Sequence, residues 1–133
     1  MLDTSTVILL GRIADPAALP DQSAISAITL AELSVGPQVA ADPAERAARQ
    51  AHLQQAENDF DAIAFDAAAA RAFGPIAAAL RSTGRKRAAR AYDALIAATA
   101  IANGLPLYTC NPEDFEGIPA LDLRLVPHPD KAP

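Results

Sequence analysis

Several kinds of residue are scarce in this chain, and each shortage excludes a class of protein. Tryptophan is absent, there is one cysteine, and aromatic residues make up 5% of the 133 residues. Because Cys110 has no second cysteine to pair with, the chain cannot form an internal disulfide, and we expect a cytoplasmic protein. The longest apolar stretch, residues 94–102, is far shorter than the ~20 residues of a membrane span. Residues 1–10 carry no basic leader, so we also expect no signal peptide.

Alanine is the residue that the chain has in excess. Hydrophobic side chains make up 51% of the sequence and charged ones 20%, which is typical of one globular domain. Nearly half of the apolar residues are alanine, so the core must form by close helix packing around a modest set of larger side chains. We predict one domain over residues 1–126 and a loose, proline-containing tail over residues 127–133.

The charge balance is acidic, with a formal net charge of -5. Domains that hold nucleic acid by bulk electrostatics usually have a basic surplus, so this balance argues against such a domain. Five of the eleven basic residues nevertheless fall within residues 81–90. This patch is either a solvated helix end or a surface that contacts a nucleic-acid substrate. The candidate substrate contacts in it are Arg85, Lys86, Arg87 and Arg90.

Short apolar segments alternate with helical patterns along the chain. The predicted strands are residues 1–3, 24–26, 62–65, 107–109 and 123–126. The predicted helices are residues 4–13, 29–35, 43–57, 67–84 and 94–102. This alternation predicts an α/β fold, in which a short parallel central sheet is flanked by helices on both faces. Ligands bind such sheets at the carboxyl edge of the strands.

Four acidic residues follow predicted strands or begin predicted helices, and each has a local explanation. Asp3 is in position for an Asx turn, and Thr4 or Ser5 for the cap of the first helix. Glu32 completes a capping box with Thr29. Asp93 is in position to cap the helix over residues 94–102. Asp114 is in position for a turn residue.

Taken together, the same four acids indicate a metal site. All of them are predicted at the carboxyl edge of the sheet, where clustered negative charge repels itself unless a cation offsets it. No histidine or cysteine is grouped with them, so the pattern favours a hard ion, Mg²⁺ or alternatively Mn²⁺. Ser5 and Thr109 are either hydrogen-bond donors to these acids or ordinary capping residues, and Asn111 is an outer-shell candidate.

The order of four short motifs resembles a known family over residues 1–126. The motifs are Asp3-Thr4-Ser5, Ile28-Thr29-Leu30-Ala31-Glu32-Leu33, Asp93-Ala94-Leu95-Ile96-Ala97-Ala98-Thr99-Ala100 and Thr109-x-Asn111-x-x-Asp114-Phe115. Together they resemble the PIN-domain ribonucleases, specifically the VapC-type toxins of bacterial toxin–antitoxin systems. Many members carry an acid where this chain has Asn111, and most have more residues before the first aspartate.

The resemblance implies a Mg²⁺-dependent endoribonuclease that cuts structured RNA of the tRNA or rRNA class. It also implies inhibition by a VapB-type antitoxin and a homodimer. The implied catalytic and metal-binding residues are Asp3, Glu32, Asp93 and Asp114. In this mechanism a metal-activated water attacks the phosphodiester. The alternative function is a catalytically inactive PIN-like module that binds RNA or protein.

Overall fold

The computed structural model describes residues 1–81 and 87–131. These residues form five α-helices and four short strands. The helices are α1 (Thr4–Leu9), α2 (Ala27–Gln38), α3 (Pro43–Asp59), α4 (Ala67–Leu80) and α5 (Arg87–Ala102). The strands are β1 (Ala24–Ser26), β2 (Asp61–Ile63), β3 (Leu107–Thr109) and β4 (Leu123–Leu125). None of the helices in the described ranges is long and apolar enough to cross a membrane.

The strands form a parallel sheet whose centre is a single residue. β1 pairs with β2 and β3 pairs with β4, both in parallel. Leu2 forms parallel bridges to Ile25 of β1 and to Tyr108 of β3, and so joins the two pairs. The first predicted strand is therefore present at its minimum length, in the middle of the order β2-β1-Leu2-β3-β4. This arrangement confirms the predicted parallel sheet.

Helices cover both faces of this sheet, and each face has its own core. Leu2 and Ile25 are fully buried in one core, against residues of α1, α2 and α3. Met1 and Leu107 are buried in the other, against α4 and α5. Neighbouring residues of a strand point to opposite faces, so Met1 and Leu2 belong to different cores. The predicted α/β fold with helices on both faces is confirmed.

Helix α5 is buried as its apolar sequence predicts, but it begins earlier. Every residue from 94 to 100 is buried except Leu95. The helix starts at Arg87 rather than beside Asp93. Residues 87–92 contain good helix formers and neither glycine nor proline, so nothing in them stops the helix from extending. Asp93 consequently lies inside α5, and the predicted capping role for this residue is wrong.

Other helix boundaries also differ from prediction, and α4 ends at Leu80 rather than at residue 84. α1 ends at Leu9 and continues as a 3₁₀ turn over Leu10–Arg12. α2 begins at Ala27, and it passes through Gly36 and Pro37 before ending at Gln38. Arg49 of α3 donates from Nη1 to the carbonyl oxygen of Gly36 at 2.9 Å, which supplies a partner for this late carbonyl.

The loose character of residues 127–133 stays a prediction. In the described part of this segment, Asp130 forms an ion pair with Arg12. Lys131 lies 3.5 Å from a carboxylate oxygen of Glu113. Both ion pairs are exposed, and exposed pairs contribute little to stability.

Candidate active site at the carboxyl edge of the sheet

Asp3 lies at the point where the central strand passes into α1. Its backbone N–H donates to the carbonyl oxygen of Tyr108 at 3.1 Å, which fixes it beside the end of β3. Its carboxylate accepts from the backbone N–H of Thr6 at 3.0 Å, so Asp3 itself is the N-cap of α1. The prediction that Thr4 or Ser5 caps this helix is therefore wrong. The side chain can reach back to the helix amides because Asp3 has extended backbone angles.

Three hydroxyl groups surround the Asp3 carboxylate, which is 3% exposed. Thr6 donates from Oγ1 to Oδ1 at 2.6 Å, and Thr109 donates from Oγ1 to Oδ2 at 2.7 Å. The Ser5 hydroxyl lies 2.9 Å from Oδ2 and 3.1 Å from Oδ1. Hydrogen bonds to a charged acceptor are about twice as strong as neutral ones, and these offset the cost of burying the carboxylate.

The same hydroxyls tie the loop after β3 to this carboxylate. The Thr109 hydroxyl accepts from the backbone N–H of Asn111 at 2.9 Å, and the Thr6 hydroxyl accepts from that of Cys110 at 3.2 Å. Cys110 is buried, and burial raises the pKa of its thiol, so the group stays a thiol rather than a nucleophilic thiolate. The Asn111 side chain turns outwards and accepts from Lys131 Nζ at 3.2 Å.

Glu32 approaches the site from α2 and does not close a capping box. The N-cap of α2 is Ser26, whose hydroxyl accepts from the backbone N–H of Thr29 at 3.1 Å. Thr29 is therefore already inside the helix, and the predicted box with Glu32 is wrong. Instead, Glu32 Oε1 accepts from the hydroxyl of Thr4 at 2.7 Å, which connects α2 to the start of α1.

Burial raises the pKa of Glu32, and the negative charge of Asp3 raises it further. The hydrogen bond from Thr4 opposes this rise because it favours the charged carboxylate. Thr4, which bonds Glu32, is the residue next to Asp3, so Glu32 reaches the same end of α1 that Asp3 caps. The role of these two acids in a metal site stays a prediction.

Asp93 and Asp114 lie on two neighbouring elements and are both partly buried. Asp93 projects from the second turn of α5, one residue before the buried Ala94. Asp114 belongs to the 3₁₀ turn over Pro112–Phe115, which packs against α5, and its backbone N–H donates to the carbonyl oxygen of Asn111. The predicted turn at this position is present.

The four acids are not gathered into a closed ligand set. Within residues 1–81 and 87–131, no three histidine, cysteine, aspartate or glutamate side chains lie close enough together to hold a metal ion. The site consists of carboxylate, hydroxyl and amide oxygens, which are the ligands that a hard divalent cation prefers. The residues present therefore fit Mg²⁺ in chemistry, and Glu32 is bonded to the residue next to Asp3.

The comparisons with known proteins agree with this architecture. A family model described as PIN domain matches residues 1–121. The chain belongs to the PIN-domain family. Ribonuclease VapC5 of Mycobacterium tuberculosis is 38% identical over 120 residues, which are 89% of this chain and 86% of the relative. Ribonuclease VapC of Rickettsia bellii is 32% identical over 133 residues, which are 98% of each protein.

A solved structure extends the similarity to the whole fold. The crystal structure of VapBC-5, a member of the VapBC family of toxin-antitoxin systems from Mycobacterium tuberculosis, superposes with a TM-score of 0.73. The identity is 33%, and the match covers 94% of each chain. The resemblance to PIN-domain ribonucleases of the VapC type is thereby confirmed.

Sequence reasoning missed some of the side chains that build this PIN-domain site. Thr6, which makes the shortest hydrogen bond to Asp3, is not among the predicted site residues. Thr4 is predicted only as a helix cap, although its hydroxyl donates to Glu32. The run of three hydroxyl residues directly after Asp3 was the available signal. Phe115 is buried in the core at 2% exposure, whereas Tyr92 is 39% exposed.

The predicted basic patch is described only in part. Arg85 and Lys86 lie outside the described residues, and so does the side chain of Arg87. Arg90 is described, and its Nη1 donates to the carbonyl oxygen of Leu80 at 2.6 Å, at the carboxyl end of α4. Arginine near a helix C-terminus interacts favourably with the last carbonyl groups.

Proposed function

We propose that this VapC-type PIN-domain protein is a Mg²⁺-dependent endoribonuclease toxin that cuts structured RNA of the tRNA or rRNA class. One observation carries the proposal: Glu32 of α2 accepts a hydrogen bond from Thr4, the residue next to the buried Asp3, so acids from two elements meet at the carboxyl edge of a parallel sheet. Adjacent carboxylates in a partly buried cleft are stabilised by a divalent cation.

Each acid has a proposed role in holding the ion. Asp3 is the fixed ligand, because hydrogen bonds from Thr6 and Thr109 hold it in one orientation. Glu32 is the adjustable ligand on α2, while Asp93 and Asp114 complete the site from α5 and the turn after β3. A bound Mg²⁺ supplies an activated water and offsets charge on the phosphoryl oxygens. Hydrolysis of this kind leaves 5′-phosphate and 3′-hydroxyl ends.

The positions of the histidines support this mechanism over a metal-independent one. Ribonucleases that work without metal generally need histidine as acid and base. His52 is on α3 and lines a small cavity with Gln55 and Asp59, away from the four acids. His128 accepts from the backbone N–H of Asp130 at 3.0 Å, in the segment after β4.

We also propose a VapB-type antitoxin as the partner and a homodimer in the cytoplasm. The solved relative belongs to a toxin-antitoxin system. Ile8 of α1 and Val35 of α2 are both 45% exposed, on the same two helices that carry Asp3 and Glu32. An antitoxin that covers these apolar residues would also cover the acids, and an arginine of the antitoxin would complement their charge.

Cleavage of total RNA tests the proposed activity. The protein, freed of its antitoxin, is incubated with total RNA in Mg²⁺ or in chelator, and new 5′ ends are mapped by sequencing. We expect a few cuts in structured RNA that require Mg²⁺. No Mg²⁺-dependent cut in the whole pool would favour the alternative, an inactive RNA- or protein-binding module, for which the neutral Asn111 is the motivating residue.

A further inference from the structure

A cavity of about 550 Å³ lies between the carboxyl end of α4 and the first turns of α5. Its lining combines an apolar floor with two guanidinium groups. The lining residues are Phe73, Ala77, Leu80, Arg81, Arg90, Ala91 and Ala94. Cavities of about 300–1,000 Å³ accommodate small ligands, so this one is large enough for a nucleotide. An apolar floor with a cationic rim is complementary to a base that carries a phosphate.

Arg90 is held in place but has an unused hydrogen-bond donor. Its Nη1 donates to the carbonyl oxygen of Leu80 at 2.6 Å, which fixes the guanidinium against α4. Its Nε is buried, and within residues 1–81 and 87–131 it has no acceptor. A buried N–H without an acceptor is unfavourable unless a ligand provides one. Phosphate oxygens are the acceptors that match the planar donor geometry of arginine.

The cavity adjoins Asp93, one of the proposed metal ligands, along α5. Arg90 and Asp93 are three residues apart in α5, which places their Cβ atoms roughly 5–6 Å apart on neighbouring positions of the helix surface. A single nucleotide of extended RNA can span this separation. An RNA strand whose scissile phosphate lies at Asp93 can therefore place the next nucleotide in the cavity.

We propose that this cavity binds the nucleotide next to the scissile bond. The base enters against Phe73, and its phosphate contacts Arg81 and Arg90. The inference rests on the proposed ribonuclease function and adds a determinant of which sequence is cut. Because a base can enter the cavity only when it is unstacked and unpaired, cleavage falls in single-stranded loops. The local cations also compensate for the overall charge of -5, which repels RNA.

Filling the cavity without changing its charge tests this proposal. Ala77→Met places a larger side chain in the lining, while Ala78→Met makes the same change at the exposed neighbouring position of α4. Binding of a labelled single-stranded RNA of random sequence, about 12 nucleotides long, is measured in chelator with protein freed of antitoxin. We expect Ala77→Met to weaken binding about tenfold, the loss of one stacked base, and Ala78→Met to leave it unchanged.

Two further measurements strengthen the test. Arg81→Ala changes an exposed position and should remove one phosphate contact. The slope of log affinity against log salt concentration should therefore become shallower by about one. For variants that cut RNA, Ala77→Met should raise KM more than it lowers kcat, and it should relax the base preference beside the cut. Thermal unfolding of each variant establishes that it folds.

The outcomes separate this proposal from the proposed activity. Equal RNA affinity for Ala77→Met and Ala78→Met, or no RNA binding by the unmodified protein, would overturn the nucleotide site. A loss of antitoxin affinity or a change in oligomeric mass at unchanged RNA affinity would overturn it as well, in favour of a protein contact. RNA binding that is sensitive to Ala77→Met, without cleavage in any divalent ion, would support the site and contradict the activity.

Discussion

Asp3 and Glu32 are neighbours in the site, but the protein holds them in different ways. Asp3 is buried, caps α1 and accepts hydrogen bonds from three hydroxyl groups. Glu32 is half-exposed and caps nothing, and its one hydrogen-bond partner among the described residues is the hydroxyl of Thr4. The difference shows that an acid at a functional site can also be part of the local structure, and that the two roles must be tested separately.

Asp93 resembles Glu32 in this comparison, since it lies inside a helix and does not cap it. Asp93→Asn should therefore leave the free energy of unfolding of the metal-free protein unchanged or slightly higher, because one repelling charge is removed. Cleavage should fall by orders of magnitude at saturating Mg²⁺, because the ion loses a charged ligand. RNA cleavage rates and thermal unfolding with and without Mg²⁺ measure both effects. Near wild-type cleavage would exclude Asp93 from the proposed site.

Asp3→Ala should instead destabilise the fold. The substitution removes the N-cap of α1 and leaves the buried hydroxyls of Thr6 and Thr109 without their acceptor, a combined loss of about 2–4 kcal/mol. Asp66→Ala is the matched control, because Asp66 caps α4 through one bond to the backbone N–H of Ala69. This control should cost only about 1 kcal/mol in urea unfolding. Equal losses for the two variants would mean that the hydroxyl groups around Asp3 add nothing to stability.

The sequence predicted these elements where local signals were decisive. β3 was predicted at its observed residues, and the predicted helix starts at residues 43 and 67 are those of α3 and α4. The predicted start of α2 is wrong because the sequence offers two possible N-caps. Ser26 and Thr29 are each followed, three residues later, by a polar side chain. The choice between them depends on the hydrogen bond between Glu32 and Thr4. These residues are 28 positions apart, so a local sequence pattern cannot predict their contact.

One of the hydroxyl groups that bond Asp3 also comes from a residue that a local sequence pattern cannot connect to it. Thr109 is 106 residues from Asp3, and only the register between the central strand and β3 brings them together. The sequence could rank Thr109 as a candidate but could not assign its partner. For Asp93, the apolar run after it suggested a helix start, although nothing before it forbids a longer helix.

The raised pKa of Glu32 predicts an unusual pH dependence for the metal-free protein. Because the folded state holds this proton more tightly than the unfolded state, the associated stability is present below the unfolded pKa and is lost as pH rises through the folded pKa. Urea unfolding in chelator should therefore show a falling contribution from Glu32 above its ordinary range near 4.5. Glu32→Gln should remove this contribution. If the free energies of unfolding of the wild-type and Glu32→Gln proteins differ by the same amount at every pH, the raised pKa of Glu32 is contradicted.

The smallest expected effect concerns the single hydrogen bond to Glu32. Thr4→Val keeps the shape of the side chain but removes the hydroxyl that donates to Oε1 at 2.7 Å, so the pKa of Glu32 should rise further. Since Mg²⁺ binds the charged carboxylate, cleavage by the variant should drop at the acidic end of the activity range and recover as the pH rises. The control is Ser34→Ala, whose exposed hydroxyl donates to the carbonyl oxygen of Ala31 in the same helix. If Thr4→Val shows the same pH profile as Ser34→Ala, Thr4 serves only to connect α1 with α2, and Glu32 does not bind the ion in its charged form.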